Sequence, residues 1–437
     1  MMNNLVKQSL RILLGRASVS SIGLLFTVYF AYELPKNLFA LIALYSTAAS
    51  FTQVMIDLGL SAKMVREAPA LIKDESRFAE VVRNVIMPSV VLRFFAAGIT
   101  CIVMVIFLQL MEGLLSAEFP QLNVEFIILL APISMMFENG NTSLASVFQV
   151  QRRFGLDSIL TSGANLLEMI FATVLYINFG MDQYFTGVLA AQASLFFIRS
   201  YLIREVLQHF ALKDLTIKQV KYILKEYWPY YLRRFFRFGL LQGEQLLVVI
   251  LLPLAQLADF NLAKRLSKYL KFYSDAFSNP LTIKLARTKD LMMRKKHVRT
   301  FLFFTVPLPI ALSLLSPWIM QLAGGDKYAD SWPILAVLYL SYVFYGYSNL
   351  QMSVVTIFGK ATEVLYRDAI GSIVGFTATL ILILLFGQYG LAWGQLIAYF
   401  TLFVAGYHIS KKYLDADIEP GSQKNESAET MVSPDPE

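Results

Sequence analysis

Between Leu10 and His408 the chain is a succession of apolar stretches, most of them about 20 residues or longer, joined by short polar connections. About 20 mostly apolar residues is the length a helix needs to cross the hydrocarbon core of a bilayer. Lipid offers the backbone no hydrogen-bond partners, so stretches of this kind are helical. They run near Leu10 to Tyr32, Asn37 to Leu60, Val85 to Leu110, Val124 to Val150, Leu156 to Phe179 and Tyr184 to Leu207. A second set runs near Tyr227 to Leu252, Ala258 to Pro280, Thr300 to Leu322, Trp332 to Phe358, Asp368 to Phe386 and Leu391 to His408. The expected fold class is an all-α polytopic membrane protein of about twelve transmembrane helices. Composition agrees: 56% of residues are hydrophobic and 16% charged, against roughly 45–50% and 25% in soluble domains.

Loop charge gives an expected orientation. Lys63, Arg66, Lys73, Arg77 and Arg83, then Arg152 and Arg153, then Lys213, Lys218, Lys221 and Lys225 fall in alternate connections. Lys284 to Arg299, Lys360 with Arg367, and Lys411 with Lys412 continue the series. The intervening connections offer little beyond Lys36 and Lys327. The positive-inside rule then puts both termini in the cytoplasm and requires an even helix count. The first stretch is too long for a signal peptide and lacks a small-residue cleavage site, so it stays as helix one. The expected organisation is helices one to six over 1–207, a basic cytoplasmic linker over 208–226, helices seven to twelve over 227–410, and a polar, disordered cytoplasmic tail over 411–437.

The halves echo one another. Leu34-Pro35 between helices one and two matches Leu252-Pro253 between helices seven and eight. Phe179-Gly180 before helix six matches Phe386-Gly387 before helix twelve, and each pair is followed by a glutamine, Gln192 and Gln395. Both matches advance the helix number by six, the mark of parallel repeats.

Function classes drop out one by one. The single cysteine, Cys101, excludes a disulfide framework within the chain. His209, His297 and His408 fall at helix ends or in basic loops, so no metal site, cofactor or catalytic set is expected. The formal charge of +7 reflects loop topology, and no nucleic-acid partner is expected.

What remains is charge inside the membrane, where each ionised group costs about 2.5–3.5 kcal/mol on insertion scales. On helix eight, Asn261, Lys264, Lys268, Lys271, Asp275 and Ser278 are spaced three and four apart and share one face. Helix seven carries Arg233, Arg234 and Arg237, with Glu244 two turns on; Arg233 and Arg234 lie near enough the surface to be anchors, whereas Arg237 is deeper. Arg93 lies about two turns into helix three, Arg16 lies on a small and polar stripe of helix one, and helix four carries Ser134, Glu138, Asn141 and Gln149. Arg11, Arg199 and Arg204 read as side chains snorkelling to the interface. Ser and Asn stripes serve equally well as helix-packing contacts. A cationic, partly hydrated cavity attracts phosphates, and arginine adds bidentate hydrogen bonds to their oxygens. Substrate-binding candidates are Arg16, Arg93, Arg233, Arg237, Lys264, Arg265, Lys268 and Lys271; candidates for coupling to a proton or sodium ion are Glu138, Glu244 and Asp275.

Asp57-Leu58-Gly59-Leu60 with Arg66, the basic segment Ala255 to Ala286 ending at Asn279-Pro280, Leu322-Ala323-Gly324-Gly325-Asp326-Lys327-Tyr328, Phe358-Gly359-Lys360, and Phe386-Gly387-Gln388-Tyr389-Gly390-Leu391-Ala392 together resemble polysaccharide flippases, Wzx-type members of the multidrug/oligosaccharidyl-lipid/polysaccharide exporter superfamily. The resemblance implies two six-helix lobes around a central cavity that opens alternately to each side of the bacterial cytoplasmic membrane. It implies an undecaprenyl-pyrophosphate-linked oligosaccharide as cargo: an O-antigen, capsule or exopolysaccharide repeat unit. It implies membrane lipids, a polysaccharide polymerase and chain-length proteins as partners, and it gives Arg16 a role in holding the pyrophosphate. Two other readings stand beside it: a drug or metabolite antiporter of the same superfamily, against which the cationic lining argues, and a membrane-embedded polymerase, for which the external connections are too short.

Overall fold

The computed structural model describes residues 23–57, 87–110, 112–113, 116, 119, 122–150, 154–205, 217–288, 303, 306–358 and 361–415. Besides a four-residue helical turn at Asp326–Ala329, twelve helices are traced in these residues: α1 (23–33), α2 (Lys36–Asp57), α3 (Met87–Leu110), α4 (Val124–Val150), α5 (Phe154–Phe179), α6 (Met181–Leu202), α7 (Ile217–Leu251), α8 (Leu254–Thr288), α9 in two limbs (Pro307–Leu314 and Ser316–Gly324), α10 (Trp332–Phe358), α11 (Ala361–Phe386) and α12 (Gln388–Asp415). No strand occurs among the described residues. The protein is an all-α, multi-pass membrane protein. By length and composition α2, α5, α6, α11 and α12 each qualify as a membrane span, as do the two limbs of α9 taken together.

Where the observed helices outrun the apolar stretches, they mostly do so on the basic side. Helix α7 begins at Ile217 rather than near Tyr227, so residues 217–226 of the expected linker are helical; α8 continues to Thr288, α11 begins at Ala361, and α12 runs on to Asp415. At about 1.5 Å per residue, the 35 residues of α7 make a rod about 52 Å long, well beyond a hydrocarbon core of about 30 Å. Hydropathy marks where lipid ends, and these helices continue past it. The expectation of one straight helix over Thr300 to Leu322 is corrected: its two limbs meet at a 63° bend. Pro317, at the start of the second limb, cannot donate the backbone hydrogen bond that would carry the helix through.

The two halves share their breaks. At Leu34-Pro35 and Leu252-Pro253 the helix stops and restarts, the preceding amide closing the last turn (Leu34 N to Phe30 O, 3.0 Å; Leu252 N to Val248 O, 2.8 Å). At Gly180 and Gly387 the chain reverses through positive φ, 90° and 58°, which glycine adopts without the cost a Cβ imposes. The helix pairs these glycines join approach closely: a Cβ on Gly187 would lie 2.6 Å from the Ala172 backbone, and one on Gly394 2.1 Å from Thr379. Small residues at such crossings let membrane helices pack backbone to backbone.

Helices α2 to α6 pack among themselves, as do α7 to α12. Helix α1 joins the first group through Phe30, whose ring meets Tyr176 and Tyr184 edge-on. The result is two six-helix lobes that meet chiefly along α2, which packs on α7 and α8. The largest buried apolar cluster bridges them through Phe39, Ile42 and Ala43 of α2, Leu257, Phe260 and Leu262 of α8, and Leu335 and Leu338 of α10. These residues lie toward the face that carries the Leu-Pro and Phe-Gly breaks. We call it the charge-poor face, and its opposite the basic face.

Candidate functional site

Depth along α7 and α8 organises the charged residues. The two helices run antiparallel from the break at Leu252-Pro253, so a residue's distance from that break measures its depth. Arg265, 11 residues below Leu254, lies about 16 Å in, near the middle of the membrane. Lys268 and Arg237, each 14 residues from the break end of its helix, lie about 21 Å in. Lys271 and Arg233, at 17 and 18 residues, lie about 26–27 Å in. Cations therefore occupy paired levels on two adjacent helices, from mid-membrane toward the basic face.

The helix-eight stripe faces the direction its spacing requires. Leu262, Ala263, Leu266, Ser267 and Leu270 are buried, whereas Lys264, Arg265, Tyr269 and Lys271 are half-exposed and Lys268 is exposed. Lys264, Arg265 and Lys271 all lie within electrostatic reach of Lys268. Arg265 belongs to this group and points across the lobe boundary: its guanidinium lies 3.3 Å from Ser46 Oγ on α2 and 5.9 Å from the centre of the Phe39 ring.

Tertiary pairing changes the roles of several residues. Lys264 is turned into its own lobe, where its ammonium donates to Glu244, to the Leu241 carbonyl and, at 3.3 Å, to Gln242 Oε1. Glu244 is 6% exposed and belongs to Lys264, not to the Arg233 and Arg237 pair whose face it shares. The acid that meets Arg233 is Asp368 on α11, 3.2 Å from its Nε. Arg93 is 1% exposed, enclosed in the packing of α3 instead of on a cavity wall. Arg16 lies outside the described residues, as do Leu58 to Leu60 with Arg66, and of Asp275 only the backbone is described.

The first lobe holds a polar network of opposite character. Gln192 on α6 donates to Glu168 Oε2 on α5 at 2.5 Å and accepts from Asn141 Nδ2 on α4 at 3.1 Å. Arg199, expected to snorkel, is 3% exposed; it donates to the Asn141 carbonyl and to Thr161 Oγ1, both at 2.7 Å. Two other helices, α4 and α5, thus supply these partners, a convergence that no local spacing reveals. Arg204, by contrast, is exposed and lies over the Tyr201 ring at 4.4 Å, as an interfacial side chain should. Glu138 on α4 is half-buried and within electrostatic reach of Glu168 and of Tyr45, whose hydroxyl donates to Ser134 Oγ at 2.8 Å. Tyr184 lies between the lobes' charges, within reach of Glu168 on one side and Arg265 on the other.

At the charge-poor face the lobes are latched. Lys36 at the start of α2 pairs with Asp259 of α8 at 2.6 Å and lies over the Tyr328 ring at 5.0 Å. Lys327 donates to the carbonyls of Tyr32 and Leu34 at 2.7 and 2.8 Å, and the Tyr32 hydroxyl donates to the carbonyls of Gln321 and Leu322, each at 3.1 Å. Tyr328 is fully buried against Phe39. The segment Leu322 to Tyr328, singled out in the sequence only by resemblance, is thus the second lobe's half of this closure.

No protein-family model and no curated protein matches the chain in sequence. Solved structures do match in fold. The lipid II flippase MurJ in an inward closed conformation aligns with a TM-score of 0.74 at 20% identity, over 92% of this chain and 87% of its own. The MATE transporter VcmN of Vibrio cholerae aligns with a TM-score of 0.66 at 17% identity, over 94% and 97%. An inward-facing multidrug resistance MATE family transporter of the MOP superfamily gives 0.66 at 14% identity, over 92% and 98%. In fold, as two six-helix lobes, this chain is like these transporters.

Proposed function

We propose that the chain is a flippase that moves an undecaprenyl-pyrophosphate-linked oligosaccharide repeat unit, of an O-antigen, capsule or exopolysaccharide, across the bacterial cytoplasmic membrane by alternating access. The observation that carries this reading is the paired ladder of cations on α7 and α8, Arg233 with Lys271, Arg237 with Lys268, and Arg265 above them. Cations at membrane depth are expensive, and a diphosphate entering from the basic side would meet one pair after another. Arginine holds it in two places at once and lysine as a point charge. The charge-poor end is latched, and the ladder runs toward the other, basic face. With the basic face cytoplasmic, as loop charge requires, cargo in this reading loads from the cytoplasm, and both termini are cytoplasmic. The fold likeness to a lipid II flippase supports a lipid-linked cargo, with the lipid tail left in the bilayer and no chemistry done on the substrate. Polysaccharide polymerase and chain-length proteins are the partners this role calls for.

Coupling to a proton or sodium ion falls to Glu138 with its neighbour Glu168. They lie in the lobe opposite the cation ladder, and among the described residues no lysine pairs with them as Lys264 does with Glu244. Asp275 remains a coupling candidate by its place on α8.

Alanine at Arg265, Lys268 and Lys271, singly and together, tests the reading in cells deprived of their own flippase. The triple variant is expected to insert normally and to lose surface glycan to background. Normal glycan from the triple variant would overturn the proposal.

A further inference from the structure

We infer that Asp368 is a built-in stand-in for the cargo's diphosphate: it holds Arg233 in the unloaded protein and surrenders it when a diphosphate binds beside Arg237, with Arg367 keeping the acid in position. This rests on the functional reading above and adds to it a competitor and a positioning residue.

The two oxygens of Asp368 have different attachments. Oδ1 takes Arg367 through Nη2 and Nε, at 2.6 and 2.9 Å, from the neighbouring residue of the same helix. That arginine is itself fixed, its Nη1 lying 3.4 Å from Ser348 Oγ and 3.5 Å from the Ser348 carbonyl on α10. Oδ2 takes Arg233 from another helix, through a single contact at 3.2 Å. The acid and Arg367 are enclosed, with side chains 1% and 7% exposed, while Arg233 is 32% exposed. Arg233 is therefore the one member of the trio with a substantial part of its side chain exposed. Asp368 and Arg233 stand 18 residues from the charge-poor ends of α11 and α7, so two parallel helices bring them to one level, about 27 Å in.

The charge environment points the same way. Arg233, Arg237 and Arg367 all act on the Asp368 carboxylate. A diphosphate ester brings negative charge to the same arginines, and its oxygens accept from a guanidinium in pairs. When Arg233 transfers to it, Asp368 keeps both bonds from Arg367, so the exchange strands no buried acid. A ligand shifts such an equilibrium only by binding one arrangement better than the other. Here the gain is the replacement of one long contact by a paired one.

The experiment measures binding of farnesyl diphosphate, farnesyl monophosphate and inorganic pyrophosphate to the purified full chain in detergent. Asp368→Asn removes the competitor and keeps its shape, so farnesyl diphosphate is expected to bind about five- to tenfold more tightly than to the wild type. In an Arg233→Ala background the same change should give no gain. Affinity for farnesyl diphosphate that is unchanged or weakened by Asp368→Asn, or a gain that persists without Arg233, overturns the inference. If Asp368→Asn does not fold, Asp368→Glu is expected to stay within about twofold of wild type while Arg233→Ala loses about tenfold; Arg233→Ala binding as wild type overturns it. A gain on inorganic pyrophosphate equal to that on the farnesyl compound would reassign the site to free phosphates and overturn it as a lipid-cargo site. Wild-type protein that binds none of the three fails the functional reading itself, which separates that failure from failure of the exchange.

Discussion

The two lobes are built alike and charged differently. Each has a Leu-Pro break between its first two helices, a positive-φ glycine between its last two, and a buried glutamine on its last helix, Gln192 or Gln395. Around Gln192 the first lobe gathers Glu168 and Glu138. Gln395 donates to the hydroxyl of Tyr399 at 2.9 Å, and the second lobe carries Arg233, Arg237, Arg265, Lys268 and Lys271 on α7 and α8. A repeated scaffold thus carries an acidic cluster in one half and a ladder of cations in the other. The shared skeleton sets where helices stop and how closely they cross; the charges are free to differ because they lie on faces the skeleton leaves open.

The largest effect should come from breaking an ion pair that the second lobe keeps to itself, Lys264 with the buried Glu244. Lys264→Ala strands Glu244, and removal of one partner from a buried ion pair costs about 3–5 kcal/mol. Thermal unfolding in detergent should show a large drop, and Lys264→Met with Glu244→Leu should recover most of it. Failure of the double variant to recover would mean that the pair also serves the tyrosines around it. The first lobe offers the counterpart. Arg199→Met removes two charged hydrogen bonds, and a bond of that kind is worth about 1.5–3 kcal/mol; the same unfolding assay should register a loss within about that range. A smaller loss would return Arg199 to the interfacial role its position near the end of α6 implies. The smallest effect is expected at the latch, which joins the lobes instead of distinguishing them. Tyr32→Phe removes the two contacts to the carbonyls of Gln321 and Leu322, worth about 0.5–1.5 kcal/mol. In a Cys101→Ala background, a cysteine replacing buried Ser331 should react with an impermeant maleimide up to about tenfold faster when Tyr32 is Phe. An unchanged rate would mean that Lys36 and Lys327 hold the closure without it.

The contrast between legible and hidden features follows physical range. Helix number, the Leu-Pro and Phe-Gly breaks and the polar face of α8 depend on neighbours within a few residues, and each is readable from spacing alone. The ends of α7, α8, α11 and α12 were misplaced because a helix can leave the bilayer without ceasing to be a helix. That error hid Arg367 and Asp368, which hydropathy assigned to a loop and to a helix start, though both lie in the second turn of α11. The pairings Lys264 with Glu244, Arg233 with Asp368, and Arg199 with Asn141 and Thr161 join helices 20 to 135 residues apart in sequence. No periodicity within one helix contains them. Charge groups Arg265 with the lysines, and only packing shows that it touches α2.

The bend in α9 has a geometric corollary. Its second limb, nine residues or about 13 Å long, leans 63° from the first. It therefore advances only about 6 Å along the direction of that limb and about 12 Å sideways. A span laid over in this way covers more ground across the charge-poor face than it gains in depth. Its end is tied to the other lobe, where the Tyr32 hydroxyl meets the carbonyls of Gln321 and Leu322 and the Lys327 ammonium meets those of Tyr32 and Leu34. Nine residues laid sideways thus bring the second lobe's backbone to the end of α1, so that the lobes join through main-chain carbonyls as well as side chains.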